Sequence, residues 1–424
     1  MTKSHRMKAL AAVAVLGVGA VAVGCGSSSD TESSGKVGEL KVGVLVPLTG
    51  DLSPFGGPNE KAAKLAGDTV NAAATKAGVD LKITEFVQDS KTDPQGAQEG
   101  AEKLISSDKV NVLAGPMASS ETIPVAENIS VTAGVPLISP SATNPDITKL
   151  DDSGLVFRTP PSDALQGKVL AQVISDAIGA DKTVNIGARN DPYGNALAGV
   201  FEEAWKAGGG TIGAKVVYNP AAASLDSEAG KLAAGNPDAW VVIDFPDSWQ
   251  KMGPALARTG KWSPAKTWTV DGLKSNDLPQ KAGVKVTEGM QGTVATSADA
   301  PAGKAFDDLW KAQVKDPRQT YDAQMFDAVI LYALAAARAG STNGADIAAK
   351  LSEVSGAPGT KYTFENLDAA LKAAAAGEDI DYEGASGPID FDANGDPASA
   401  SYGLWSYKDG KLVESDKVFP VAGS

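Results

Sequence analysis

Short apolar runs of β type alternate with longer helical stretches along most of this chain. From residue 41 the strand-like runs are separated by helical stretches near 59–77, 94–107 and 121–133, and the rhythm resumes after residue 180. The predicted strands are 41–46, 81–87, 110–114 and 135–138, followed by 183–188, 214–218, 239–243, 266–270 and 291–295. Strands that alternate with helices predict parallel sheets covered on both faces.

Two later helices can be checked by the spacing of their apolar residues. Leu197, Phe201 and Trp205 belong to one continuous stripe that ends before the glycines at 208–210. A second stripe comprises Phe326, Val329, Ile330, Ala333, Leu334 and Ala337. Two strand–helix series predict an α/β fold of two doubly wound parallel-sheet lobes. The segment 155–167, which contains two consecutive prolines, is interpreted as the first crossing between the lobes.

The N-terminus has the layout of an export signal. Basic residues at positions 3, 6 and 8 precede an apolar run from Ala9 to Val23, and Gly24 precedes Cys25. A cysteine at this point resembles a bacterial lipobox, which implies cleavage after residue 24 and lipid attachment at Cys25. The alternative is an ordinary secretory signal with a leftover thiol. Residues 25–37 are expected to form a disordered tether.

Composition excludes most catalytic machinery. The one histidine, His5, lies in the expected signal peptide, and Cys25 is the one cysteine. Nucleophile–histidine systems and zinc sites are therefore not expected, and neither a metal nor a cofactor is predicted. Removing residues 1–24 takes away three of the 38 basic residues and none of the 52 acidic ones, which leaves a net charge of −17. Such a chain is not expected to bind nucleic acid.

In an open parallel sheet, a ligand binds beyond the carboxyl ends of the strands, so the loops there are the candidate site. Two of these loops, GPMASSET (115–122) and SPSATNP (139–145), are rich in hydroxyl side chains and run into predicted helix starts. Hydroxyls and helix-start amides suit a carboxylate, which makes Ser119, Ser141 and Thr143 candidates. The alternative is that these residues merely cap helices.

The corresponding loops of the second series carry acidic and aromatic residues. Asp244 and Asp271 each follow a predicted strand, and Tyr193 lies in the RNDPYG loop. Phe55 adds an apolar wall from the first series. An acidic group opposite a hydroxyl cluster suggests a zwitterionic ligand, although each aspartate alone is also typical of a turn.

Four segments resemble the substrate-binding lipoproteins of branched-chain amino acid ABC transporters, which are periplasmic binding proteins of type I. They are VGVLVPLTGDLSPFG, GPMASSETIPVAENISVTAGVPLISPSATNP, NDPYGNALAGVFEEAW and DYEGASGPIDFDANGD. The resemblance implies an N-terminal lobe of residues 38–157 plus 297–400 and a C-terminal lobe of 158–296 plus 401–424. Three connecting segments would form a hinge.

The resemblance also implies roles for individual residues. The serine pair and the SPxATNP loop would hold a ligand carboxylate, Tyr193 would contact the ligand, and Asp271 would replace a longer glutamate at the ammonium. Phe55 stands where some relatives have tryptophan, and Phe245 is expected to take the place of a tyrosine that relatives carry. The full expected ligand-binding set is Phe55, Ser119, Ser120, Ser141, Ala142, Thr143, Tyr193, Phe245 and Asp271.

These expectations combine into a lipid-anchored receptor outside the bacterial cell membrane that captures a small amino acid, or a similar carboxylate or amide, by lobe closure. It would deliver this ligand to the permease of an ABC importer, act as a monomer and catalyse no reaction. Two alternatives remain open at this point. One is a ligand sensor of the same fold, and the other is a secreted hydrolase that uses paired carboxylates, such as a glycosidase.

Overall fold

A computed structural model describes residues 36–296 and 302–422. The expected signal peptide, Cys25 and residues 26–35 of the expected tether lie outside these ranges. The first strand begins at Lys36 and pairs from that residue onward, so the last two residues of the expected tether belong to the sheet instead. No helix among the described residues combines the length and apolar character needed to cross a membrane.

The first series of elements builds a five-stranded sheet. Its strands are β1 (Lys36–Val46), β2 (Asp80–Asp89), β3 (Val112–Ala114), β4 (Leu137–Ser139) and β5 (Val156–Arg158). They lie in the order β2-β1-β3-β4-β5, and every pair is parallel. The helices between them are α1 (Ser53–Ala77), α2 (Pro94–Ser106), α3 (Ser119–Val125), a π-helical turn (Ala126–Ser130) and α4 (Val131–Ala133).

The second series forms the core of another sheet. In chain order it comprises α5 (Asp163–Ile178), β6 (Thr183–Arg189), α6 (Pro192–Ala207), β7 (Thr211–Tyr218), α7 (Asp226–Leu232), β8 (Ala239–Ile243), α8 (Pro246–Arg258), β9 (Thr267–Thr269), α9 (Leu278–Ala282) and β10 (Gln291–Ala295). Strands β6 to β10 pair with one another in parallel.

The remaining elements complete both halves. They are α10 (Gly303–Gln313), α11 (Asp322–Ala339), α12 (Gly344–Ser355), β11 (Thr360–Tyr362), α13 (Leu367–Ala375), β12 (Ile380–Gly384), β13 (Gly387–Pro388), β14 (Ser399–Lys408) and β15 (Lys411–Ala422). Short 3₁₀ turns lie at Ile147–Lys149, Pro264–Lys266, Asp271–Leu273, Val284–Val286 and Phe364–Asn366. Helix α11 packs against α1, α12 and α13, whereas β14 and β15 join the second sheet.

The second sheet has the order β15-β14-β10-β9-β8-β6-β7. Its last two strands are antiparallel, because β14 returns along β10 and a tight turn then leads into β15. The sheet is therefore mixed, whereas the strand–helix rhythm predicted parallel pairing throughout. A small third sheet of β11, β12 and β13 lies outside the predicted pattern.

Apolar residues are buried on both faces of each main sheet. In β1, Val42 and Val44 belong to the core on one face of the sheet, and Leu45 belongs to the core on the other face. In β8, Val241 and Trp240 likewise belong to different cores. This alternation is the two-sided burial expected of a doubly wound sheet, and the predicted fold class is confirmed.

We call β1–β5, α1–α4, α10–α13 and β11–β13 the first lobe, and α5–α9, β6–β10, β14 and β15 the second lobe. The chain passes from the first lobe to the second between β5 and α5, and from β13 to β14. It returns between β10 and α10, where residues 297–301 lie outside the described ranges. The carboxyl ends of the parallel strands of both lobes border one interlobe cleft, which positions the candidate site.

Candidate functional site

A small cavity lies in the cleft where the two lobes meet. Its free volume is about 20 Å³, which is room for roughly one water molecule. Both lobes contribute to its walls, and most of the lining side chains are apolar or aromatic. The lining residues are Leu52, Phe55, Met117, Ala118, Ser119, Ser141, Tyr193, Phe245, Asp271, Gly272 and Tyr321.

The structure brings six of the nine sequence-predicted residues to this cavity and leaves three outside its lining. Phe55, Ser119, Ser141, Tyr193, Phe245 and Asp271 line it, even though they come from six separate loops or helix starts. Ser120, Ala142 and Thr143 do not. Ala142 is fully buried, and its N–H donates to Ser139 Oγ at 3.0 Å, so this residue supports the loop rather than facing the cavity.

The first-lobe wall consists of hydroxyl groups at the ends of β3 and β4. Ser119 Oγ accepts a hydrogen bond from the Asn144 N–H at 3.2 Å, which joins the two loops. No acceptor for the Ser119 hydroxyl proton is found in the described part of the chain. Ser141 Oγ instead donates to the Met117 carbonyl at 2.7 Å. Of the two serine hydroxyls in this wall, that of Ser119 is the one whose proton is available for a hydrogen bond to a ligand.

Thr143 is committed to a partner in the second lobe. Its Oγ1 donates to Asp163 Oδ2 at 2.9 Å, and the Asp163 N–H donates back to the Thr143 carbonyl at 2.8 Å. These two bonds attach the SPxATNP loop to the start of α5. Thr143 thus contacts a buried carboxyl group beside the site rather than the cavity itself.

A buried ion pair holds the same loop from behind. Arg158 is fully buried at the end of β5, and its Nε and Nη2 donate to the two carboxylate oxygens of Asp396 at 2.6 and 2.7 Å. Its Nη1 donates to the Asn144 carbonyl at 2.9 Å, and Nη2 also donates to Thr148 Oγ1 at 2.7 Å. The DANGD segment, a turn around Asp392, therefore supports the binding loop.

The second-lobe wall is centred on the Asp271 carboxyl group. Tyr193 Oη donates to its Oδ1 at 2.9 Å, and Tyr321 Oη donates to its Oδ2 at 2.8 Å. Tyr193 belongs to the second lobe and Tyr321 to the first. The Asp271 carboxyl group therefore links the two lobes as well as lining the cavity. Burial raises the pKa of Asp271, and the hydrogen bonds from the two phenols oppose that rise.

Asp163 is a second buried carboxyl group that the sequence interpretation missed. The side chain is inaccessible to solvent, and its Oδ1 has no hydrogen-bond partner among residues 36–296 and 302–422. Burial and the neighbouring Asp271 carboxylate raise the pKa of Asp163 well above its ordinary value. Two adjacent buried carboxyl groups create a strong preference for a positive charge or for bound protons.

Tyr321 was also missed, because it lies in the helical region far along the chain. Its backbone is left-handed, with φ of 71°, immediately before α11. The preceding Thr320 is fixed by two bonds: its Oγ1 donates to the Lys274 carbonyl at 2.7 Å, and its carbonyl accepts from Asn59 Nδ2 at 3.3 Å. This anchoring holds a conformation that is uncommon for tyrosine and directs the phenol at Asp271.

An aromatic stack forms one side of the cavity. The rings of Tyr193 and Phe245 lie 5.2 Å apart and within 16° of parallel, and the Arg189 guanidinium carbon lies 3.7 Å from the Phe245 ring centre. Asp244 does not line the cavity. It lies behind the stack, where it accepts from Ser248 Oγ, and burial raises its pKa to about 6.

The polar groups of the two cavity walls differ in kind. No group of three or more histidine, cysteine, aspartate or glutamate side chains in the described ranges has the geometry of a metal site. The cleft presents neutral donors on one wall and carboxyl groups on the other. A molecule that carries an anionic and a cationic group is complementary to both walls.

Comparison with known proteins identifies the family and agrees with the fold. Residues 39–411 match the sequence profile of the periplasmic binding protein family. The chain is 26% identical over 388 residues to Leu/Ile/Val-binding protein homolog 3 of Brucella melitensis, an alignment that covers 90% of this chain and 95% of that protein. It is also 26% identical over 368 residues to the chemotactic signal transduction system substrate-binding protein BasB of Halobacterium salinarum, covering 85% of each.

A solved structure has the same fold. The branched-chain amino acid transporter substrate-binding protein LivJ of Streptococcus pneumoniae, in complex with isoleucine, superposes with a TM-score of 0.72 at 24% identity. The superposition covers 91% of this chain and 99% of that one. The resemblance inferred from the sequence motifs is confirmed: the chain belongs to the periplasmic binding protein family.

Proposed function

We propose that this protein is the extracytoplasmic solute receptor of an ABC importer and that it captures a small amino acid, branched-chain or related, between its lobes. The observation that carries the proposal is that a hydroxyl wall and the buried Asp271 carboxyl group line one cavity, with the buried Asp163 beside Asp271. Its relatives named for leucine, isoleucine and valine binding support the ligand class. The protein would act by binding and release, without catalysis.

The first wall would receive the ligand carboxylate. Ser119 would donate its hydroxyl proton, and the backbone N–H groups of Ser119 and Ser120, which lack intrahelical partners at the start of α3, would supplement it. Ser141 would contribute less, because its hydroxyl already donates to Met117. Ala142 and Thr143 would act through the shape of their loop, Thr143 by holding Asp163.

The second wall would receive the ligand ammonium group. Asp271 faces the cavity, and Asp163 lies beside it with an unpartnered buried oxygen. An ammonium group would neutralise this pair and supply donors to carboxyl oxygens that water does not reach. Phe55, Tyr193 and Phe245 would surround the ligand side chain.

The lobes must separate for a ligand to enter. A free volume of about 20 Å³ is far below the roughly 300 Å³ at which ligand pockets begin, so the aromatic walls have to part first. We propose that the movement occurs at the three connections between the lobes, with boundaries near 157/158, 296/297 and 400/401. Closure would then strengthen both polar contacts by excluding water.

Isothermal titration calorimetry against the twenty L-amino acids, their amides and small carboxylates tests the proposal. We expect saturable binding of at least one L-amino acid and loss of that binding in Asp271→Asn. Asp308→Asn is the matched control, because Asp308 is an exposed residue that pairs with Lys304 on α10. Absence of binding across the whole panel would contradict the proposal.

We further propose that residues 1–24 are removed and that Cys25 carries a lipid, which would hold a monomeric receptor on the outer face of the membrane. Mass spectrometry of the membrane-bound protein should detect an acylated N-terminal Cys25. Cys25→Ser should release the protein from the membrane. An unmodified thiol on a membrane-bound chain would contradict the anchor.

A second candidate function is ligand sensing, and the similarity to the chemotaxis protein BasB favours it. In that case the closed form would contact a signalling receptor instead of a permease. Cells that lack this protein would then lose a swimming response to the ligand and keep its uptake. Loss of labelled ligand uptake instead would favour the importer.

A further inference from the structure

One ion pair crosses the cleft beside the ligand cavity. Arg189 ends β6 in the second lobe, and its Nη2 lies 3.1 Å from Asp51 Oδ2 in the first-lobe loop between β1 and α1. The Arg189 side chain is 5% exposed and that of Asp51 is 28% exposed. The Asp51 carbonyl also accepts from the Asp247 N–H at 3.5 Å, at the start of α8. Both contacts at this corner of the cleft depend on the lobes being closed.

The same guanidinium belongs to a stacked column that reaches the cavity. Arg189 lies against one face of Phe245, and the Phe245 ring is stacked in turn with Tyr193. Phe245 and Tyr193 both line the cavity, and Tyr193 donates to Asp271. The interlobe ion pair is therefore connected, through two aromatic rings, to the wall that faces the ligand.

Arg189 keeps partners in its own lobe. Its Nε donates to Asp191, its Nη1 donates to Ser248 Oγ at 3.3 Å, and Asp244 Oδ1 lies 3.7 Å from Nη1. Burial disfavours the charge, but the carboxylates of Asp191, Asp244 and Asp51 outweigh burial and raise the pKa of Arg189. When the lobes separate, Asp51 moves away, but the Arg189 guanidinium keeps the carboxylates of Asp191 and Asp244 beside it. The ion pair can thus break and re-form without stranding a buried charge.

We propose that Asp51 and Arg189 form a latch, an interlobe ion pair that favours the closed form. The inference rests on the proposed function in one respect, namely that closure serves ligand capture. The latch itself is a property of the ligand-free chain. The latch can therefore be tested independently of amino-acid binding.

Hydrogen exchange of the full-length protein without ligand, followed by mass spectrometry, tests the latch. Asp51→Asn removes one charge from a partly exposed loop, so the fold should persist and the closed population should fall. We expect backbone amides on distant parts of the cleft, in peptides covering 115–119 and 271–276, to exchange about fivefold faster, as for loss of a partly exposed pair. Asp51→Lys should accelerate them further, because it repels Arg189.

Asp191→Asn is the matched control, since it also removes a carboxylate from Arg189 but lies in the same lobe. Asparagine can still accept from the Gly194 N–H and cap α6. We expect exchange at 115–119 and 271–276 to stay at the wild-type rate. Faster exchange confined to residues 49–53 in Asp51→Asn, or an equal effect of Asp191→Asn, would overturn the latch. Failure of the amino-acid panel would overturn the proposed function instead.

Discussion

The two walls of the cleft are built from different chemistry. The first-lobe wall presents hydroxyls and backbone amides from loops after β3 and β4, and its donors are neutral. The second-lobe wall presents the Asp271 carboxyl group, with Asp163 buried beside it, and both groups accept hydrogen bonds from hydroxyls of the other lobe. Under the proposed function, a ligand with one negative and one positive end would fit this cleft in a single orientation. The asymmetry would therefore determine both the orientation of the ligand and the charges that it must carry.

The walls also differ in how their polar atoms are supported. The hydroxyl wall is held by bonds between neighbouring loops and by the buried Arg158–Asp396 pair. The carboxyl wall is held by Tyr193 from its own lobe and also by Tyr321 and Thr143 from the opposite lobe. The first wall can persist when the lobes separate, whereas the second is complete only when they close.

The strongest test of this difference is removal of charge from the carboxyl wall. Asp271→Asn keeps an acceptor for one phenol and removes the negative charge that would face the ammonium group. We expect amino-acid affinity to fall about 100-fold, the scale for truncating a buried charge pair. Calorimetry measures the change. An affinity within twofold of the wild type would show that Asp271 is not the cation site.

Single hydroxyls of the first wall should have smaller effects, and they should be unequal. Ser119→Ala removes a donor that has no acceptor among the described residues, so we expect about tenfold weaker binding, as for a hydrogen bond to a charged group. Ser141→Ala removes a hydroxyl that already donates to Met117, so its effect on affinity should be about threefold or less. Equal losses in the two variants, measured by the same calorimetry, would contradict this assignment.

A stability measurement tests the ionisable group behind the first wall. Glu121 is fully buried, its Oε2 accepts from the Ala118 N–H at 3.1 Å, and burial raises its pKa to about 8. Because the folded pKa lies above the unfolded value, the stability from this group is complete at low pH and declines as the pH rises towards 8. Burial also raises the pKa values of Asp244 and Asp327, to about 6, so their protonation changes mainly at lower pH than that of Glu121.

Glu121→Gln should remove the contribution of this side chain to the pH dependence of the free energy of unfolding. Between pH 6.5 and 8 the wild-type free energy of unfolding should fall by up to about 1.4 kcal/mol per pH unit more than that of the variant. Urea denaturation at both pH values provides the comparison. The glutamine side chain can still accept from Ala118, so the loop should be retained. Parallel pH profiles would show that Glu121 is ionised throughout.

Local patterns predicted much of the fold. In α6, the spacing of Leu197, Phe201 and Trp205 gave the helix and its buried face, and all three side chains are buried. The pairing of β14 with β10 was not predictable in this way, because it joins segments separated by more than a hundred residues. Apolar spacing indicates a strand but does not indicate its direction in the sheet.

The site was predictable where a loop follows a strand and not where contacts are long-range. Ser119 and Asp271 lie in segments that follow strands β3 and β9, so sheet topology and motif resemblance both selected them. Tyr321 reaches Asp271 from a loop 50 positions away, and Asp396 reaches Arg158 across 238 positions. Asp163 had a local signal, since Ser162 caps α5 just before it, but capping gives no indication that the carboxyl group meets Asp271.

The most direct test of opposed anionic and cationic subsites compares an amino acid with its deaminated analogue. The amino acid that binds best in the calorimetric panel and the matching carboxylic acid without the amino group would be titrated into wild-type protein. We expect about 100-fold weaker binding of the analogue, because it lacks the ammonium group that would neutralise the buried carboxyl groups. Equal affinity for the two compounds would contradict it.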